Sequence, residues 1–170
     1  MRVTAHVLVM GVSGAGKSSL AQALAETLGA GFVDADDLHP ASNRVKMAAG
    51  IPLTDADRTP WLATLADVLR TATHDGRTTV LACSALKRRY RDVLRTGAPG
   101  LRIVHLRAQP ATLHHRLTAR TGHFMPASLV DSQLATLEPP TADEDVLTLT
   151  AEQPHDDLVA QAAAWLTSTA

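Results

Sequence analysis

The chain has 170 residues, 45% apolar and 19% charged, enough for one packed domain over 1–170 that buries roughly 70% of its unfolded surface. Its single cysteine excludes a disulfide framework and a CxxC-type metal or redox site, and fits a reducing, cytoplasmic setting. A formal net charge of -1 argues against a nucleic-acid-coating protein, and no apolar run approaches the ~20 residues that span a membrane.

Apolar runs alternate with helical spacing from end to end. Residues 6–10, His-Val-Leu-Val-Met, read as a buried strand and not as a signal peptide, because the run is short and enters a glycine-rich segment directly. Leu20, Ala21, Leu24, Ala25 and Leu28 then recur at helical spacing, and Gly29 ends that helix. Further strands are predicted at 31–34, 78–83, 102–106 and 146–150. Helices are predicted near 41–49, 60–74, 87–96, 110–120, 126–137 and 154–167. Several begin at a proline, where a missing N–H costs nothing.

Strands alternating with helices predict an α/β fold with a parallel sheet covered on both faces. Such sheets bind ligands at the carboxyl ends of their strands. Residues 11–18, 34–39, 83–87 and the loop after Leu106 are therefore expected to converge on one cleft. The polar segment 38–60 is long for a connection and is expected to fold over that cleft.

Gly11-Val-Ser-Gly-Ala-Gly-Lys17-Ser18 fits G-x-x-x-x-G-K-[ST] between an apolar strand and an amphipathic helix. The glycines let backbone N–H groups wrap an anion, and the helix N-terminus adds its dipole. Gly11, Ser13, Gly14, Ala15, Gly16, Lys17, Ser18 and Ser19 are thus candidate ATP contacts, with Lys17 on the β- and γ-phosphates and Ser18 on Mg2+. Asp34, Asp36 and Asp37 follow at the end of the second strand, where alternation points Asp34 and Asp36 the same way. Asp34 is suited to hold a metal-bound water, and Asp36 to accept a hydrogen bond from an attacking hydroxyl. A solvated acidic loop, with Asp37 capping the next turn, is the structural alternative. Only three of the 16 basic residues are lysine, namely Lys17, Lys46 and Lys87, which marks these compact charges as candidates for direct contacts.

The segments Asp36-Asp-Leu-His39-Pro40, Asn43-Arg-Val-Lys46-Met47, Gly50-Ile-Pro-Leu53-Thr-Asp55-Ala-Asp57-Arg58, Pro60-Trp61-Leu62 and Cys83-Ser-Ala-Leu-Lys87 with Tyr90-Arg91 occur in order. Gly122-His-Phe-Met-Pro126, Ser132-Gln133 and Leu137-Glu138-Pro139 complete the series. Together they resemble the small bacterial-type gluconokinases, over most of the chain. One departure is Ala35, where glycine commonly precedes the aspartate in that family. The resemblance implies transfer of the ATP γ-phosphate to the 6-hydroxyl of D-gluconate. It also implies a nucleoside-monophosphate-kinase-like P-loop fold, with a five-stranded parallel sheet in the order 2-3-1-4-5, a substrate-covering segment near 38–75, a lid near 116–137, and a homodimer.

A polyhydroxy carboxylate needs acceptors for its hydroxyls and a cation for its acid group. Arg58 can hold the carboxylate as a fork, while Asp36, His39 and Lys46 bind or orient hydroxyls. A surface pair of Arg58 with Asp55 or Asp57 is the alternative. Ser84 is expected to face the cleft, Lys87 to contact substrate or phosphate, and Cys83 to be a small buried residue with no nucleophilic role. Arg88 and Arg89 read as a mostly solvated face. Arg116 and Arg120 are assigned to ATP, Arg120 also to catalysis, and His123 to substrate at the lid. Trp61 is expected to anchor the cover by packing. The scattered histidines make no zinc pattern. Competing readings are a kinase for shikimate or a nucleotide, and a nucleotide-dependent switch ATPase.

Overall fold

The computed structural model describes residues 5–119 and 127–168. Strands β1 (Val7–Met10), β2 (Gly31–Asp34), β3 (Thr79–Ala82), β4 (Arg102–Arg107) and β5 (Val146–Thr150) form a parallel sheet in the order β2-β3-β1-β4-β5, as the resemblance implied. Central β1 pairs Val7 with Val80 on one side and with Arg102 on the other.

Helices α1 (Lys17–Leu28) and α7 (His155–Ser168) cover one face of the sheet; α3 (Asp55–His74) and α4 (Arg88–Gly97) cover the other. The period of two in β1 sorts its side chains between them. Val7 and Val9 pack with Leu20, Leu24, Ala162 and Leu166, while Leu8 and Met10 pack with Leu62, Leu65, Leu69 and Leu94. With both faces buried, the strand reads as a continuous apolar run. The α3 and α4 axes approach closely at Gly97, where a Cβ would lie 2.0 Å from the Ala66 carbonyl oxygen.

The segment 38–60 contains α2 (Ala41–Ala48) and the start of α3. Here the sequence reading is corrected, because α3 begins at Asp55 and Pro60 lies inside it. Thr54 Oγ1 accepts from the Asp57 N–H and the Asp57 carboxylate accepts from the Thr54 N–H, a reciprocal cap that fixes the first turn. Pro60 removes one donor, and the residue that loses it as a partner, Ala56, is exposed, so water can take its carbonyl. Helices α5 (Pro110–Ala119) and α6 (Ala127–Thr136) flank the residues outside the described set. Among the described residues, no helix is long and apolar enough to cross a membrane.

Candidate active site

The loop between β1 and α1 passes so close to β4 that a Cβ on Gly11 would lie 2.5 Å from the Leu106 carbonyl oxygen, so only glycine fits there. Gly16 caps α1 with φ 100, turning the chain into the helix that presents Lys17 and Ser18. Lys17 Nζ donates to the Val12 carbonyl at 3.1 Å, and Ser18 Oγ donates to Asp34 Oδ2 at 2.7 Å. A cavity of about 610 Å3 opens above this loop, lined by Ser13, Gly14, Gly16, Lys17, Ser18, Ser19, Asp34 and Asp36.

The two carboxylates meet there for a different reason from the one expected. Strand β2 stops at Asp34, and residues Ala35–Leu38 make a 3-10 turn, so strand alternation does not govern Asp36. Asp34, and not Asp37, caps that turn, accepting the Asp36 N–H at 3.0 Å. Asp37 instead lines a second cavity, of about 420 Å3. Ala35 fits the turn without a positive φ, and its carbonyl accepts the Trp61 Nε1–H at 2.8 Å, so the absent glycine costs nothing here.

Lys17, Asp36 and Ser13 line both cavities, and the second adds His39, Arg44, Arg58, Trp61, Ser84 and Gln133. The Asp36 side chain is 81% exposed but sits in this concavity. Enclosure by protein raises its pKa above the usual carboxylate range; Lys17 and Arg44 oppose that shift, and Asp34 and Asp37 reinforce it. His39 stacks on Trp61 with ring centroids 4.0 Å apart. Asn43 Nδ2 lies 3.2 Å from His39 Nδ1; an amide nitrogen donates, so Nδ1 accepts and the imidazole proton sits on Nε2. Burial, then Arg44 and Arg58, lower the His39 pKa to about 4, so the ring is neutral at physiological pH.

Arg58 does not pair with Asp55 or Asp57. Its Nη1 donates to the Leu53 carbonyl and to Tyr90 Oη, and its guanidinium lies over the Tyr90 ring at 5.3 Å. Ser84 reaches the cavity from the strained loop after β3, where Ala85 takes φ 45. Cys83 is buried and its thiol is pushed up to about 12 by burial, which makes it inert at neutral pH.

Other expected contacts lie elsewhere. Lys46 Nζ is 2.8 Å from Asp57 Oδ2, and Lys87 Nζ is 3.4 Å from Asp55 Oδ1. Neither lysine is among the residues lining the two cavities. Arg116 reaches the phosphate loop from behind, donating to the carbonyls of Gly14, Ala15 and Ala151. Gly11 and Ala15 support the loop and line neither of the two cavities. Arg120 and His123 lie outside the described residues. Arg88 and Arg89, read as a solvated face, are exposed and pair at the surface with Asp143 and Asp55.

Sequence reasoning assigned no role to Arg44, yet it lines the cavity together with Met47, Ala48 and Ile51, at i, i+3, i+4 and i+7. That period was the available signal. Lys46, two residues further along α2, sits about 200° around the helix, on the Asp57 side.

Comparison with known proteins agrees with this architecture. An AAA domain family model matches residues 7–140. The chain is 51% identical over 153 residues to the gluconokinase of Gluconobacter oxydans (strain 621H), covering 90% of this chain and 85% of that protein. An unliganded sugar kinase structure from Janibacter sp. HTCC2649 superposes with a TM-score of 0.93 at 47% identity, covering 96% of this chain and 95% of that one. A gluconokinase structure from Sinorhizobium meliloti 1021 gives 0.91 at 46% identity, covering 100% and 95%. With a P-loop opening onto paired cavities, and with identity of this extent along nearly the whole chain, this protein belongs to the gluconokinase family of P-loop kinases.

Proposed function

We infer that this enzyme transfers the γ-phosphoryl group of ATP to the 6-hydroxyl of D-gluconate, giving 6-phospho-D-gluconate and ADP. The observation that carries the reading is the junction of the two cavities, where Lys17 and Asp36 line both. In-line transfer requires such a junction, because donor phosphate and acceptor hydroxyl must meet without intervening water.

In this reading the 6-hydroxyl donates to the Asp36 carboxylate, which orients the oxygen toward the γ-phosphorus and takes its proton as the new P–O bond forms. The bond from the γ-phosphorus to its bridging oxygen breaks, and ADP departs. Lys17 turns from the Val12 carbonyl to the phosphates and offsets charge on the transferring oxygens. Neutral His39 offers Nε2–H to a sugar hydroxyl, Ser84 offers its own hydroxyl, and Arg58 holds the carboxylate through nitrogens not engaged with Leu53 or Tyr90. Ser18, with Asp34 through water, fits Mg2+, a hard cation that takes oxygen donors and keeps several waters. When bound, that ion neutralises charge on the ATP phosphates.

Arg116 fixes the loop that receives ATP, Arg120 serves ATP and catalysis, and His123 serves the substrate. Lys87 serves the acceptor site by exchanging Asp55 for substrate, and Lys46 serves it through Asp57, which caps the helix that carries Arg58. The enzyme acts as a single domain in the cytoplasm, as a homodimer, with a small-molecule partner and no nucleic acid or membrane partner.

The test is ADP release from Mg·ATP with D-gluconate, shikimate, a nucleoside monophosphate panel or no acceptor. Stimulation by gluconate alone, with the product identified as the 6-phosphate, is the expected result. Stimulation by another acceptor instead, or hydrolysis indifferent to all of them, overturns the reading.

A further inference from the structure

Helix α6 sends one side chain back to the phosphate loop across 120 residues of sequence. The Ser13 N–H donates to Gln133 Oε1 at 2.8 Å, and Gln133 Nε2 donates to Ser13 Oγ at 3.1 Å. A backbone N–H can only donate, so the amide oxygen must face it and the NH2 group must face the hydroxyl. The orientation of Gln133 is therefore fixed by the loop. Ser13 lines both cavities, and Gln133 lines the one containing Arg58 and Ser84. This latch sits on the boundary between them.

N–H groups of a phosphate loop are the donors that an anionic oxygen takes up. A hydrogen bond to a charged oxygen is about twice as strong as one to a neutral amide. A phosphate that reaches the Ser13 N–H thus displaces the Gln133 oxygen. The released amide, with one acceptor and two donor hydrogens, then faces the cavity that the gluconate reading fills with hydroxyls.

We propose that Gln133 is an acceptor-binding residue released by phosphate: it holds Ser13 until the terminal phosphate of ATP takes the Ser13 N–H, and then turns to a sugar hydroxyl. This rests on the gluconate reading above. Its consequence is thermodynamic, since each substrate tightens the binding of the other by the same factor.

Substitution of Gln133 leaves α6 anchored, because Leu129 and Val130 are buried and His114 Nε2 lies 3.0 Å from Asp131 Oδ1. The experiment is calorimetric titration of gluconate into the enzyme alone, with Mg·ADP, and with a non-hydrolysable Mg·ATP analogue. It uses wild type, Gln133→Ala and the volume-conserving Gln133→Met. Wild type is expected to bind gluconate about tenfold more tightly with the ATP analogue. With ADP the gain should be smaller. Both variants should show no gain, while binding the analogue alone at least as tightly as wild type, since nothing competes for Ser13.

Full coupling retained in either folded variant overturns the proposal. Wild type that binds gluconate without coupling overturns the proposal and spares the gluconate reading. Wild type that binds gluconate in neither state overturns both.

Discussion

Arg91 Nε lies 2.8 Å from Glu144 Oε1, and neither side chain reaches solvent. Arg91 Nη1 also donates to the carbonyls of Ala85 and Leu86, at 2.9 and 3.3 Å, so the pair holds the loop that carries Ser84 to the cavity. Burial alone would raise the Glu144 pKa, but hydrogen bonds from Arg91 and Arg95 prevail and take it to about 2. A buried charge pair thus fixes a strained turn at the cavity that Ser84 lines.

Glu144→Gln keeps the shape of the side chain and strands the Arg91 charge, which should cost about 3–5 kcal/mol of folding stability. The urea midpoint should fall, and the KM for gluconate should rise as Ser84 shifts. An unchanged midpoint would mean that Arg91 finds another anion.

Asp36→Asn should cut kcat by orders of magnitude without lowering stability. The folded pKa of Asp36 is raised, so the ionised carboxylate disfavours the folded state at pH values above that pKa, and this effect vanishes below the unfolded value. Removing the charge therefore leaves the thermal midpoint at neutral pH unchanged or higher. Paired kinetics and melting curves check this, and a folded variant with near-normal turnover would exclude the hydroxyl-orienting role.

Arg58→Ala should raise the KM for gluconate at least tenfold with a smaller change in kcat, since the carboxylate lies away from the reacting hydroxyl. The KM for ATP should hold. Equal gluconate affinity in variant and wild type would place the acid-binding cation elsewhere.

Stability should fall as pH drops from about 6.5 to 4. His39 and His105 both have folded pKa values lowered to about 4, with burial the largest cause, so the unfolded chain takes up their protons first. Each contributes stability that is complete above about 6.5 and lost by 4, on the order of 3 kcal/mol. His105 Nε2 is also buried without a partner among the described residues. His105→Leu should therefore flatten the acid dependence measured by urea unfolding at pH 7, 5.5 and 4.5. An unaltered slope would exclude His105 as a source.

The strands, the phosphate loop and the gluconokinase motifs were legible because each is written in a few neighbouring residues. Periodicity placed β1 and the core positions of α1, and the run from Gly11 to Ser18 declared its anion site through spacing alone. The start of α3 is set not by Pro60 but by the reciprocal cap at Thr54, six residues upstream, which a proline-based boundary overlooks. Asp36 was brought to the right cavity by the wrong geometry, a strand in place of a 3-10 turn.

What the sequence by itself determined is the kinase class, the order of the elements and most of the residues at the cleft, since propensity and motif chemistry act over short stretches of chain. Only the tertiary structure decided which charged and polar groups are committed to one another. Arg91 meets Glu144 across 53 residues, Gln133 meets Ser13 across 120, and Lys46 faces Asp57 where Arg44 faces the cavity. Ion pairing and hydrogen bonding depend on separations of about 3 Å. Residues far apart in sequence reach such separations only when the sheet and its helices have packed.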